Sequence, residues 1–179
     1  MDSPIMAVVR DELEKIKKLA DKSIAQLDDE QLWVKLDPEA NSVAILMRHM
    51  AGNMRSRWTD FRTTDGEKPD RHRDQEFEDV ALDRQALLAE WEDGWRRVFD
   101  ALEPLSDRDL QDTVYIREEP HSIYKAISRQ IAHYAGHAYQ ILMMAKHLKG
   151  KDWQTLSVPK GKSEEFRLRM IEKMRARQV

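Results

Sequence analysis

The stretch IYKAISRQIAHYAGHAYQILMMAKHL, residues 123–148, decides the fold that this sequence predicts. Apolar residues recur in it every three or four positions, which is the period of a helix buried along one face. Ser122 can cap the start of this helix and Gly150 its end. The apolar face centres on Ile123, Ile127, Tyr134, Ala138, Ile141 and Ala145. His133 and His137 lie four residues apart near the edge of that face, so both rings are on one side of the helix.

Three more segments predict long helices. The first covers residues 5–26 and follows Ser3 and Pro4, a capping hydroxyl with a proline at the first turn. The second covers residues 43–61, and the third covers residues 83–104, where a proline ends it. Each segment carries apolar residues at helical spacing.

The connecting segments are polar or short. TTDGEKPDRHRDQEF, residues 63–77, carries the turn signal Asp65-Gly66 and predicts a long loop between the second and third helices. Residues 113–120 predict a brief strand, and residues 163–175 predict a short last helix. A connection as long as this loop can return along a helix, so the second and third helices can run parallel.

Four main helices in 179 residues predict an all-α chain that forms one domain over residues 1–179. The most economical core is a four-helix bundle with a long crossover loop and a short C-terminal helix. The sequence contains no cysteine, which excludes disulfides and thiolate ligands and is typical of a reducing, cytoplasmic compartment.

Charge and hydropathy exclude two classes of partner. The net charge is −3 and 35% of the residues are charged, with both signs interspersed, which is not the field of a nucleic-acid-binding protein. No apolar run is long enough to span a bilayer, and the N-terminal segment does not have the pattern of a signal peptide. We therefore expect no nucleic-acid and no membrane partner.

A third histidine, together with the pair in the fourth helix, would complete a set of three metal ligands. His49 lies in the middle of the second helix among apolar neighbours, where a buried imidazole needs a polar partner. Neutral imidazole is the commonest transition-metal ligand, and three histidines with a position left for water form an open metal site of the catalytic type. The alternative stays open: an HxxxH pair is also common among histidines that are simply packed or solvated. The remaining three, His72, His121 and His147, are interpreted as non-ligands in loops or at helix ends.

Four stretches make the sequence resemble the DinB-like (DinB/YfiT-like) superfamily, and within it a branch whose function is not established. They are NSVAILMRHMAGNMRSRWTDF (41–61), TTDGEKPDRHRDQEF (63–77), EEPHSIYKAISRQIAHYAGHAYQI (118–141) and DWQTLSVPKGKSEEF (152–166). The resemblance implies a four-helix bundle of up-down-down-up topology and a divalent metal held by His49, His133 and His137. Some relatives are thiol-dependent transferases or isomerases that use a low-molecular-weight thiol.

Several polar residues are candidates for substrate binding. Asn53 lies one turn after His49 and can orient a ligand or substrate, although helix packing explains it equally well. Arg129, one turn before His133, can face an anionic substrate, although an arginine there is more often a surface residue. Among the loop residues Arg71, Arg73, Asp74 and Glu76, pocket lining and plain solvation are equally good interpretations, and Arg73 is our candidate.

The sequence thus predicts a divalent-metal-binding protein, a mononuclear metal-dependent transferase or hydrolase that acts on a small molecule or with a thiol cofactor. The metal is zinc, nickel or iron, because imidazole suits each of them. The alternative is a noncatalytic bundle that binds a metal or small ligand. Trp58, Trp91 and Trp95 are interpreted as core residues or as part of a dimer interface, and a homodimer is expected.

Overall fold

The architecture comes from a computed structural model that describes residues 4–80 and 82–176, so the predicted cap Ser3 lies outside the described residues. The chain is mostly helical, as predicted. Its helices are α1 (Pro4–Ile24), α2 (Asp29–Trp33), α3 (Val43–Trp58), α4 (Arg84–Leu102), α5 (Ile123–Lys149) and α6 (Ser163–Ala176). Short 3₁₀ helices cover Arg73–Phe77, Asp107–Gln111 and Gly150–Asp152. Within the described residues, the strands are β1 (Thr113–Ile116) and β2 (Glu119–Ser122), which pair as an antiparallel hairpin.

Capping side chains fix the helix starts that the sequence predicted. The side chain of Ser42 accepts a hydrogen bond from the backbone N–H of Ile45 at 3.2 Å, which begins α3. The carboxylate of Asp83 does the same for α4, and the hydroxyl of Ser122 does so for α5. Each cap satisfies one backbone donor that the first helical turn leaves unpaired.

The short helix α2 lies in a segment for which the sequence predicted no helix. Asp28 and Gln31 form a reciprocal capping box: the Asp28 carboxylate accepts from the Gln31 N–H at 2.8 Å, and the Gln31 side chain accepts from the Asp28 N–H at 3.1 Å. Two aspartates in a row read as a helix stop, yet here the first of them starts a new helix.

The long helices pack around one hydrophobic core. α3 packs against α4 and α5, and α1 packs against α5 and α4, so the four helices contact one another in a ring. Nearly every residue of α3 is buried. Trp58, Trp91 and Trp95 are at most 4% exposed, which makes them core residues and leaves them no part in an interface between copies. The expected homodimer stays a prediction.

The crossover between α3 and α4, residues 59–83, lies against the hairpin. The carboxylate of Asp65 accepts hydrogen bonds from the backbone N–H groups of Arg117 at 2.8 Å and Glu118 at 2.7 Å. These two residues form the hairpin turn with φ of 57° and 63°. The loop therefore holds a turn whose own residues disfavour that backbone conformation.

The 3₁₀ helix Arg73–Phe77 in this crossover packs on α3 and places loop side chains beside it. At the other end of the chain, α6 has no buried residue. None of the described helices is long and apolar enough to cross a membrane.

Candidate metal centre

The three histidines singled out by the sequence converge at the interface of α3 and α5. Nε2 of His133 lies 3.4 Å from Nε2 of His49 and 3.0 Å from Nε2 of His137. The potential ligand atoms of the three residues all lie within 4.8 Å of one another. Two nitrogens that each bind one metal at about 2.1 Å are roughly 3.0–3.4 Å apart at ligand angles of roughly 90–110°. The Nε2 separations from His133 to His49 and from His133 to His137 both fit that spacing.

His49 is oriented by the crossover loop. Its Nδ1–H donates to Oε2 of Glu76 at 2.9 Å, so the lone pair of Nε2 faces the other two rings. Arg71 donates to both oxygens of Glu76, from Nε at 2.8 Å and from Nη2 at 2.9 Å. A carboxylate behind a histidine fixes the tautomer and raises the basicity of the ligating nitrogen. His49 therefore presents an unprotonated Nε2 toward His133 and His137.

The two histidines of α5 are held differently. Nδ1–H of His137 donates to Oε1 of Gln140 at 2.7 Å, one turn further along the helix, which again leaves Nε2 unprotonated. Nδ1 of His133 is buried and has no hydrogen-bond partner among the described residues. Unprotonated nitrogens that face one another repel unless a proton or a cation lies between them. A single metal ion would satisfy all three at once.

The surroundings of His133 and His137 favour their neutral forms. Burial, and then the repulsion that protonated His137 and His49 would exert, lower the pKa of His133 to about 3. Burial also lowers the pKa of His137, against the opposing effect of the Gln140 hydrogen bond. Burial favours protonation of Glu76, but the hydrogen bonds from His49 and Arg71 outweigh it, and the pKa of that carboxyl is lowered. At neutral pH the site therefore presents neutral imidazoles of His133 and His137 and one carboxylate, which is a metal-binding ionisation state.

A cavity of about 210 Å³ lies beside the histidines, and His49 and His133 line it. The predicted substrate-binding residues Asn53, Arg73 and Arg129 line the same cavity. Asn53 is buried, and its Oδ1 accepts hydrogen bonds from Gln130 and Tyr134, which joins α3 to α5. Arg73 and Arg129 are exposed. Their placement around one cavity is a fact of the structure, while their role in substrate binding stays a prediction.

For the loop residues Arg71, Arg73, Asp74 and Glu76, the sequence left pocket lining and solvation equally open. The structure shows different burial for them. Glu76 is buried against His49, whereas Arg73 and Asp74 are exposed. Gln140 escaped notice, although its position three residues after His137 was a usable signal for a side chain on the same face. Within the described residues, the group does not include the other three histidines, His72, His121 and His147. His121, expected in a loop or at a helix end, is instead buried on β2.

Together, fold and site define a mostly helical protein with a candidate three-histidine metal centre. The chain matches the family described as Protein of unknown function (DUF1572) over residues 2–162, and it belongs to that family. The match ends where α6 begins. Among curated proteins, no sequence matches the chain.

Proposed function

We propose that this protein binds one divalent transition metal ion, zinc, nickel or iron, through Nε2 of His49, His133 and His137, and that it uses the ion to transform a small molecule. The convergence of three Nε2 atoms, two of them with Nδ1 partners that fix the tautomer, carries the proposal. Packing alone explains a hydrogen bond to a buried imidazole, but it does not explain three Nε2 atoms that converge.

The same proposal includes membership in the DinB-like superfamily with its up-down-down-up four-helix bundle. The ring of contacts among α1, α3, α4 and α5 supports a bundle. The crossover at residues 59–83 is long enough for α3 and α4 to run parallel, as that topology requires. In this bundle the ligands would come from α3 and α5, two helices that contact each other.

The chemistry would be that of a mononuclear enzyme, a thiol-dependent transferase or a hydrolase. A cation held by three imidazoles supplies a Lewis acid with positions left for a water, a thiolate or a substrate oxygen. The chain itself would orient its ligands through Glu76 and Gln140. The cavity lined by His49 and His133 would hold the substrate next to the open positions.

Metal uptake tests the first half of the proposal. Purified wild-type protein is stripped with a chelator, reloaded with zinc, nickel or iron, desalted, and analysed for bound metal. We expect one ion per chain in the wild type and a loss of at least roughly 100-fold in affinity for His133→Ala, which removes one of three ligands. His147→Ala is the matched control, because His147 is an exposed histidine on the same helix. Wild-type protein that takes up none of the three metals would refute the proposal.

Cobalt substitution tests whether the metal has an open position. The visible absorption of the Co²⁺ form reports its coordination, and a thiolate that joins the metal adds a charge-transfer band. We expect 2-mercaptoethanol to produce that band. A Co²⁺ spectrum that no added thiol, azide or change of pH perturbs would replace the enzyme proposal by the alternative, a noncatalytic metal-binding bundle.

A further inference from the structure

The cavity beside the histidines is lined by an unusual concentration of positive charge. Five of its lining residues are arginines: Arg57, Arg71, Arg73, Arg117 and Arg129. The remaining lining residues are the two histidines, Asn53 and Gln130, so no described residue of the lining carries a carboxylate. Like charges repel at short range, and a fold brings five guanidiniums to one small space only if something compensates them.

Compensation from the protein is incomplete. Glu67 contacts Arg57 at 3.0 Å, Arg71 at 3.3 Å and Arg117 at 3.1 Å. Glu76 pairs with Arg71, which already shares Glu67. Two carboxylates are thus divided among three guanidiniums, and one of the two also holds His49. The site retains an excess of positive charge.

The other two arginines have little or no compensation. The closest carboxylate to Arg73 is Asp74, at 3.9 Å and fully exposed, which contributes little. The side chain of Arg129 makes no ion pair or hydrogen bond with any residue that the structure describes. Both guanidiniums therefore have donors available for an outside acceptor.

Arg57, a buried arginine of the lining, is paired only in part by the protein. It is 7% exposed, and its Nη1 and Nη2 donate to the carbonyl of Gly66 and to Glu67. Its Nε is buried and has no hydrogen-bond partner among the residues that the structure describes. A buried charged donor that lacks an acceptor costs free energy, and native proteins seldom leave one unmatched. The protein therefore satisfies the Arg57 guanidinium only in part.

We propose that this cavity binds the acidic group of a small molecule, a carboxylate or a phosphate, and holds the molecule next to the metal centre. The planar guanidinium matches the geometry of both groups and pairs with them through two parallel hydrogen bonds. At about 210 Å³ the cavity is smaller than a pocket for a drug-sized ligand, which is about 300–1,000 Å³. The substrate is therefore a small anion. This inference rests on the proposed function for its meaning, because it names the substrate class of the same site.

Anion binding is measured by calorimetry at low ionic strength, on metal-free and on zinc-loaded wild-type protein. The probes are succinate for a carboxylate, inorganic phosphate for a phosphate, and succinamide as the uncharged analogue. We expect succinate, phosphate or both to bind and succinamide not to bind, and the stronger of the two anions identifies the acidic group. If neither anion binds the metal-free or the zinc-loaded protein more tightly than succinamide, the inference is wrong.

Two variants locate the site. Arg129→Gln removes an exposed guanidinium without an internal partner, so the protein should fold normally, and we expect roughly tenfold weaker anion binding with unchanged zinc uptake. Arg96→Gln on α4 is the control, because Arg96 is also an exposed helical arginine but lies outside the cavity. Equal anion affinities for the two variants would overturn the inference.

The two proposals fail separately. Protein that binds zinc but no anion refutes only the anion site. Protein that binds an anion with the predicted Arg129 dependence but takes up no metal refutes the metal centre and leaves the anion site standing.

Discussion

At the residue scale, the three imidazoles of the centre differ in what holds them. His49 depends on Glu76, His137 depends on Gln140, and Nδ1 of His133 has no partner in the described chain. Only the first of these partners is charged, and it is itself held by Arg71. The charge on Glu76 strengthens Nε2 of His49 as a ligand, so the centre should depend on a residue that does not touch the metal.

Glu76→Gln tests this dependence. Glutamine keeps the length of the side chain but removes the charge that polarises His49 and holds Arg71. We expect zinc affinity to fall by roughly 10- to 100-fold, measured by competition with a chromophoric chelator, while one zinc still binds at saturation. Glu78→Gln, two residues further on and exposed, is the control and should keep wild-type affinity. Wild-type affinity in Glu76→Gln would mean that the carboxylate does not tune the ligand.

The low pKa of His133 predicts how the metal-free protein responds to acid. The folded pKa is about 3 and the unfolded value is about 6.5, so the unfolded chain binds the proton more readily. The contribution of His133 to stability is therefore complete above about pH 6.5 and is lost as the pH falls toward 3. We expect the free energy of unfolding in urea to decrease between pH 7 and pH 5.

His133→Phe isolates the contribution of His133 because phenylalanine fills a similar volume and does not titrate. We expect a shallower dependence of unfolding free energy on pH in this variant, with the remainder due to His137, whose pKa is also lowered. His147→Gln removes an exposed histidine and should keep the wild-type slope. If His133→Phe also kept that slope, the ring would not be held neutral by the fold.

At the element scale, the 3₁₀ helix Arg73–Phe77 is seated on α3 through the space that Gly52 leaves. A Cβ at Gly52 would lie 2.7 Å from Cδ of Glu76, inside van der Waals contact. Glu76 cannot move away freely, because Arg71 and His49 hold its carboxylate. Gly52 is thus required for the approach of the loop to the helix, and through it for the orientation of His49.

Gly52→Ala should therefore weaken metal binding without removing any ligand. Alanine favours a helix by about 1 kcal/mol over glycine, so a weaker helix would not explain a loss of zinc affinity. We expect zinc to bind roughly tenfold more weakly, by chelator competition. Gly136→Ala is the matched control: Gly136 lies in α5 between His133 and His137, but a Cβ there meets nothing within 4 Å. The two variants should differ in zinc affinity, and equal affinities would contradict the proposed role of Gly52.

The elements were predictable where local sequence determines them. The predicted cap Ser122 and the helical period indicated the long helices, because both signals depend only on neighbours along the chain. The hairpin was predicted only as one brief strand. Its turn, Arg117-Glu118, contains no glycine or asparagine, and Asp65 from a distant loop supplies the acceptors for it. Such a tertiary contact leaves no local pattern.

At the scale of the whole molecule, the local pattern of the sequence predicted two of the histidines but could not predict that the arginines share one cavity. His133 and His137 share a helix face by spacing alone, so the sequence predicted them. The arginines of the cavity come from α3, the crossover, the hairpin turn and α5. They meet only because the crossover folds onto the hairpin, where the Gly66 N–H donates to the Tyr115 carbonyl at 2.8 Å. Arg73 and Arg129 were predicted singly, and their common cavity was not.

The position of the three histidines would also make a bound metal ion a link between two helices. His49 comes from α3 and the other two histidines come from α5, so one bound ion would join segments that are 84 residues apart in sequence. A ligand that binds only the folded chain stabilises it by mass action, by about 2.7 kcal/mol at a hundredfold excess over its dissociation constant. Zinc should therefore raise the free energy of unfolding of the whole molecule, measured in urea.

Comparing one variant on each helix tests that link. We expect His49→Ala on α3 to lose the zinc-dependent stabilisation as fully as His133→Ala on α5, because each leaves only two of the three ligands. His147→Ala should keep the wild-type increment, since that ring is exposed and outside the group. If His49→Ala kept the full increment while His133→Ala lost it, the ion would be held by α5 alone. The two helices would then not be joined by the metal, and the buried Glu76–His49 pair would be a feature of packing.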